Sequence, residues 1–204
     1  MEASAIILAG GKNTRMKRNK AFLKLGEEPL IEKTVKAFRE YFQEIIIVTN
    51  EPDDYEYLQV TITGDLIPGQ GPLSGMHAGL IKASYTHSLI VACDMPFLEM
   101  DLAVYLTEKA GDYDVIVPRL GHYFQPLFAV YSKNCIKPIE SCLGQGITKI
   151  IAFYPLVKVK YIDQEKLAEM GVNPRVFFNI NTPDELQQAR SIAGELGGKN
   201  HEKN

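Results

Sequence analysis

The sequence has little of what several large protein classes require. Its three cysteines, Cys93, Cys135 and Cys142, are an odd number without CxxC or metal-type spacing. That argues against a disulfide framework or a zinc site and suits reduced core thiols in a reducing compartment. The four histidines, His77, His87, His122 and His201, are scattered with no HxxxH or HExxH, so a metallohydrolase is not indicated. No stretch approaches the roughly 20 apolar residues of a membrane helix. The apolar run Ala5–Ala9 is too short, and lacks the basic residues before it, to be a signal segment. With no targeting segment, the cytoplasm is the expected location. There is no basic excess either: net charge is −3, so no global field attracts nucleic acid or an anionic membrane. GxxxxGKS/T, GxGxxG and GxSxG are all missing, which leaves a P-loop ATPase, a dinucleotide oxidoreductase and a serine hydrolase without support.

What is present reads as an ordinary globular α/β chain. A length of 204 residues with 46% hydrophobic and 23% charged residues fits one domain, expected over 1–196. The stretch 197–204 has no apolar residue and is expected to be a disordered tail. Ala3–Ala9 reads as a buried strand, continuous, short and stopped by Gly10-Gly11. Pro29–Phe42 carries its apolar residues on one helical face, with Pro29 suited to the first turn. Glu44–Thr49, Val60–Thr63 and His87–Cys93 read as strands, and Leu73–Ser84 and Leu98–Ala110 as helices. Such alternation implies parallel strands joined by right-handed helical crossovers, hence a three-layer sheet. Tyr113–Arg119 and Tyr123–Ser132, linked across Leu120-Gly121, predict an antiparallel excursion. Val157, Val159 and Tyr161 predict a half-exposed strand, and Phe178–Asn181 the end of a late one. Thr182-Pro183-Asp184-Glu185 is a helix start with Thr182 as cap and Glu185 closing a capping box.

In an open α/β sheet, ligands collect beyond the carboxyl ends of the parallel strands. After the first strand comes Gly10-Gly11, and six basic residues (Lys12, Arg15, Lys17, Arg18, Lys20, Lys24) with no acid lie between positions 12 and 24. A solvated turn could have that composition. Its place directly behind an apolar strand and a Gly-Gly pair points instead to phosphate, because glycines let backbone N–H groups approach and Arg and Lys suit phosphate oxygens. After the third strand comes Gly64-Asp65 and the loop Pro68–Gly75, which enters a helix. After the fourth comes Cys93-Asp94-Met95-Pro96, where Asp94 is placed to hold Mg²⁺ against phosphates. Three such loops on one sheet edge make a nucleotide site the leading reading. Nucleotidyl transfer onto an ionised phosphate needs positioning and positive charge and no activated protein nucleophile.

Together the segments Leu8–Gly11 with Arg15-Met16 and Lys20, Gly64-Asp65, Gly71–Gly75, Cys93–Pro96, Gln125-Pro126-Leu127 and Asn179–Pro183 resemble the molybdenum cofactor guanylyltransferases, the MobA-type family of nucleotidyltransferases. Lys17 stands where that family usually has glycine. The resemblance implies a Rossmann-like, mixed but mostly parallel sheet of the nucleotide-diphospho-sugar transferase kind. It also implies GTP as donor, Mg²⁺ as cofactor and molybdopterin, or its molybdenum-loaded form, as acceptor, and it leaves room for transient contacts with other cofactor-biosynthesis proteins. By position, Leu8, Ala9, Gly10, Gly11, Lys20, Asn50, Asp65, Gly75 and Asp94 would contact GTP. Asp94 would bind the metal. Arg15, Lys20 and Asp94 would be catalytic. Gln125, Pro126, Asn179 and Asn181 would face the pterin. A cytidylyl- or sugar-1-phosphate nucleotidyltransferase, and a non-catalytic nucleotide-binding protein on the same fold, are the alternatives.

Overall fold

The computed structural model describes residues 1–10 and 19–201. Its centre is an eight-stranded sheet. The first four strands, β1 (Ser4–Leu8), β2 (Glu44–Val48), β3 (Thr61–Thr63) and β4 (His87–Ala92), are parallel in the order β3-β2-β1-β4. β7 (Phe128–Ser132) runs antiparallel to β4 on one side and to β5 (Val115–Leu120) on the other. β8 (Val159–Asp163) then pairs parallel to β5. The sheet is therefore mixed and mostly parallel, as the resemblance implied, with the antiparallel excursion at β5–β7.

Alternation along each strand explains the layers. In β1, Ala5 and Ile7 enter one buried cluster, while Ile6 and Leu8 enter another. The first cluster packs α1 (Leu30–Arg39), α3 (Met100–Glu108) and α5 (Gln164–Glu169) on one face. The second packs α2 (Pro72–Lys82) and α4 (Ile136–Gly144) on the other. All five β1 side chains are buried, and each large one adds roughly 1.5–3 kcal/mol of apolar transfer. A continuous apolar run is what a strand covered on both faces requires.

Four features depart from the sequence-based expectations. The run Tyr123–Ser132 is two strands, β6 (Tyr123–Phe124) and β7, because Pro126 has no N–H to give to a ladder. Phe178–Asn181 is not strand: a 3-10 turn, Pro174–Phe177, precedes it, and its one backbone tie to the sheet edge is Ile180 N to Asp94 O at 2.9 Å. The helix α4 was not anticipated. The last helix, α6, spans Pro183–His201, running on past Leu196. Its start is the expected capping box, with Glu185 Oε2 accepting from Thr182 N at 2.8 Å and Thr182 Oγ1 accepting from Glu185 N at 3.2 Å.

Candidate active site

The carboxyl ends of β1, β2, β3 and β4 lie side by side, and backbone bonds tie the loops beyond them into one edge. Ala9 N donates to Val48 O at 2.9 Å, Thr49 N to Thr63 O at 2.9 Å and Cys93 N to Leu8 O at 3.1 Å. On the β3 side, Asn50 and Asp65 form a reciprocal pair: Asn50 Nδ2 donates to Asp65 Oδ2 at 3.2 Å, and Asp65 N donates to Asn50 Oδ1 at 3.0 Å. Gly75, in the first turn of α2, completes this corner. A Cβ there would lie 3.3 Å from Leu8 Cδ2 and 3.6 Å from Asp65 Oδ1. Leu8, Asn50, Asp65 and Gly75 are thus brought together, with Ala9 and Gly10 at the end of β1 beside them.

At the β4 end, Lys20 Nζ donates to Asp94 Oδ2 at 2.8 Å and to Asn181 Oδ1 at 2.7 Å. The two Lys20–Asp94 side chains are 20% and 14% exposed, shielded enough to strengthen the pair yet open to a ligand. Three segments make this cluster. Lys20 opens a 3-10 turn capped by Asn19 Oδ1, which accepts from Ala21 N at 3.1 Å. Asp94 follows β4. Asn181 is fixed by its own N–H, which donates to Glu185 Oε2 at 2.6 Å.

The structure therefore places Asn181 on the lysine, whereas the sequence set it among residues facing the acceptor. Asn179 turns its amide away, to Phe177 O at 3.0 Å. Gln125 and Pro126 lie half-buried where β6 passes into β7, and Ala92 N reaches Leu127 O at 3.2 Å, which brings them to the same edge. Arg15 and Gly11 fall outside the described residues, as do Lys12, Lys17 and Arg18. Cys93, next to Asp94, is buried: burial, then the Asp94 charge, push its thiol up to about 12, which disfavours the thiolate. Sequence reasoning missed Asn19 and Tyr55, which stand behind Lys20; neither falls in a motif, and only their contacts mark them.

The mixed sheet has the fold of solved nucleotidyltransferase structures. The 2-C-methyl-D-erythritol 4-phosphate cytidylyltransferase of Thermus thermophilus superposes with a TM-score of 0.71, covering 95% of this chain and 99% of that one, at 18% identity, a likeness of fold. The chain itself belongs to the MobA-like NTP transferase family, whose domain model matches residues 5–159. A probable molybdenum cofactor guanylyltransferase of Pelotomaculum thermopropionicum is 45% identical over 95% of this chain and 94% of its own length. The molybdenum cofactor guanylyltransferase of Desulfosudis oleivorans is 35% identical over 92% and 94%. The crystal structure of molybdopterin-guanine dinucleotide biosynthesis protein A from Archaeoglobus fulgidus superposes with a TM-score of 0.81 at 31% identity, covering 94% of this chain and 99% of that one.

Proposed function

We propose that this protein transfers GMP from GTP to the terminal phosphate of molybdopterin, or of its molybdenum-loaded form, releasing pyrophosphate and the guanine dinucleotide cofactor. The observation that carries the reading is the Lys20 ammonium held by Asp94 and Asn181 at the carboxyl edge, in a chain whose full-length relatives bear the name of this activity. An oxygen of the acceptor phosphate attacks the α-phosphorus, and the bond to the bridging oxygen of the β-phosphate breaks. The acceptor oxygen is already ionised, so the step needs no protein base. Lys20 offsets charge passing to the leaving pyrophosphate, with Arg15 as its partner in that role. Leu8, Ala9, Gly10, Gly11, Asn50, Asp65 and Gly75 form the nucleotide side, and Gln125 and Pro126 the acceptor side.

The residues present fit Mg²⁺. Asp94 and Asn181 offer hard oxygen donors that already share one cation, the lysine ammonium. Among the described residues no three His, Cys, Asp or Glu side chains gather, which suits an ion held by one carboxylate and by phosphates. Asp94 and Asn181 would hold it. When bound it supplies charge neutralisation at the triphosphate.

We read residues 1–196 as one nucleotidyltransferase domain. Its cysteines are free and buried, which accords with the reducing cytoplasm, and among the described residues no helix is long and apolar enough to cross a membrane. Delivery of so complex an acceptor implies transient contact with other cofactor-biosynthesis proteins. The test is pyrophosphate release from each of the four nucleoside triphosphates with molybdopterin, with and without a magnesium chelator. GTP should be used best, and only with the metal present. Equal release from CTP, or none from any nucleotide, overturns the reading.

A further inference from the structure

Between β1 and Lys20 the described chain is tied at Ala9 and at Asn19, and both ties meet at one hydroxyl. Asn19 Nδ2 donates to Tyr55 Oη at 3.0 Å, and Tyr55 Oη faces Ala9 O at 3.4 Å, a long contact that completes the relay. Tyr55 lies in the 3-10 segment Pro52–Leu58 that follows β2. Its residue is fully buried, and its ring packs on Phe22 with centroids 5.1 Å apart. Burial, ahead of its neighbours, raises its hydroxyl to about 12, so it stays a neutral donor at every physiological pH.

Packing alone does not call for that hydroxyl. A phenylalanine would fill the same space, and a buried hydroxyl costs free energy unless it is partnered. Here both partners belong to the segments that frame Lys20. Ala9 directly follows the first strand, and Asn19 caps the turn that begins with Lys20, using its Oδ1 for the cap and its Nδ2 for Tyr55. Asn19 Nδ2 also reaches Glu51 Oε2 at 3.3 Å, so the cap is held from the β2 side as well. A shift of the cap moves the turn, and with it an ammonium whose two partners, Asp94 and Asn181, come from other parts of the chain.

We infer that Tyr55, acting through Asn19, is a positioning residue that sets the Lys20 ammonium over Asp94 and ties it to the end of β1. The inference rests on the nucleotidyl-transfer reading. Tyr55 is fully buried and its hydroxyl meets Asn19, so its effect runs through Lys20, and that gives it a signature a packing residue lacks.

The test uses the full chain and Tyr55→Phe, which keeps the ring. GMP transfer to molybdopterin should show kcat lower by roughly five- to tenfold, the worth of about one net hydrogen bond. The KM for molybdopterin and the melting temperature should hardly move. In a Lys20→Ala background, Tyr55→Phe should add almost nothing, because residues acting as a unit are not additive. A normal kcat, or a full additional loss in the Lys20→Ala background, makes Tyr55 a packing residue and overturns the inference. Should Tyr55→Phe fail to fold, Asn19→Ala carries the same expectation and the same refutation for kcat and for the Lys20→Ala background, with the melting temperature lowered by the lost cap. Direct titration with GTP separates the two failures. Wild-type chain that binds no GTP defeats the functional reading, whereas normal binding and turnover in both proteins defeats the positioning role alone.

Discussion

Asp94 answers two demands, holding the Lys20 ammonium and, with nucleotide bound, a metal ion, and both depend on its charge. Asp94→Asn keeps the shape and removes the charge. We expect kcat to fall by about two orders of magnitude or more, the scale of losing one preorganised electrostatic group. Near-normal turnover would leave Asp94 with only its backbone tie to Ile180. Lys20 sits between two oxygens of different residues, 2.8 and 2.7 Å away, a geometry for a compact ammonium. Lys20→Arg should therefore not restore what Lys20→Ala loses, because a planar fork cannot take a point-charge site; recovery of kcat/KM by the arginine variant would refute this. Asn181 belongs with these two, so Asn181→Ala should lower kcat. Gln125→Ala should instead raise KM for the pterin while GTP affinity by titration stays the same. Loss of GTP affinity with an unchanged pterin KM would move the acceptor pocket elsewhere.

At the scale of elements, the site depends on how closely α2 approaches the sheet. Gly79 faces β1, and a Cβ there would lie 2.7 Å from Ile6 Cγ2 and 3.2 Å from Val48 Cγ2. Alanine is the better helix former by about 1 kcal/mol, but overpacking of this kind costs about 1–3 kcal/mol. Gly79→Ala should therefore lower the urea midpoint despite its higher helix propensity; a higher midpoint would show that α2 can move out freely. Gly75, one turn nearer the site, is less crowded, with Leu8 Cδ2 at 3.3 Å. Gly75→Ala should leave stability nearly intact and raise KM for GTP, because the added methyl points at Leu8 and Asp65. The same logic applies to α6, whose capping box also immobilises Asn181 through Glu185.

At the scale of the whole molecule, two carboxylates hold the far side of the sheet and contribute to its acid stability. Asp114 accepts from Lys158 N, Asn134 Nδ2 and Ser132 Oγ at 2.9, 2.8 and 2.9 Å, joining β5, β7 and the approach to β8. Glu44 accepts from Ser4 Oγ at 2.5 Å and from Ser84 N at 2.8 Å. Burial works against both charges, but these hydrogen bonds outweigh it and hold both carboxyls below their ordinary values. A depressed carboxyl contributes its stability above the unfolded pKa, about 4 for either residue, and loses it as pH falls through the lower folded value. The unfolding free energy should thus decline below about pH 4. Asp114→Ala should cost about 1–3 kcal/mol at neutral pH and flatten that acid decline. An unchanged slope in urea titrations from pH 2 to about 5 would show that Asp114 does not contribute to it.

Short-range pattern decided much of this protein. An apolar run stopped by Gly10-Gly11 is a buried strand wherever it folds, and Thr182-Pro183-Asp184-Glu185 caps a helix by itself, because the forces act within a few residues. The strand-end rule also made Lys20, Asp65 and Asp94 legible, since alternation of strands and helices settles which loops share an edge. Other features were not local. Pro126 divides a run that β propensity alone would keep whole, and α4 carries Pro138 in its first turn, where a proline is tolerated although it reads as a breaker along the sequence. Asn181 meets Lys20 across 161 positions, and Tyr55 meets Asn19 across 36. No periodicity encodes such meetings. They arise only when the sheet brings β1, β2 and β4 side by side and the chain after β8 returns across their ends, so that packing, rather than pattern, chooses the partners of each polar group.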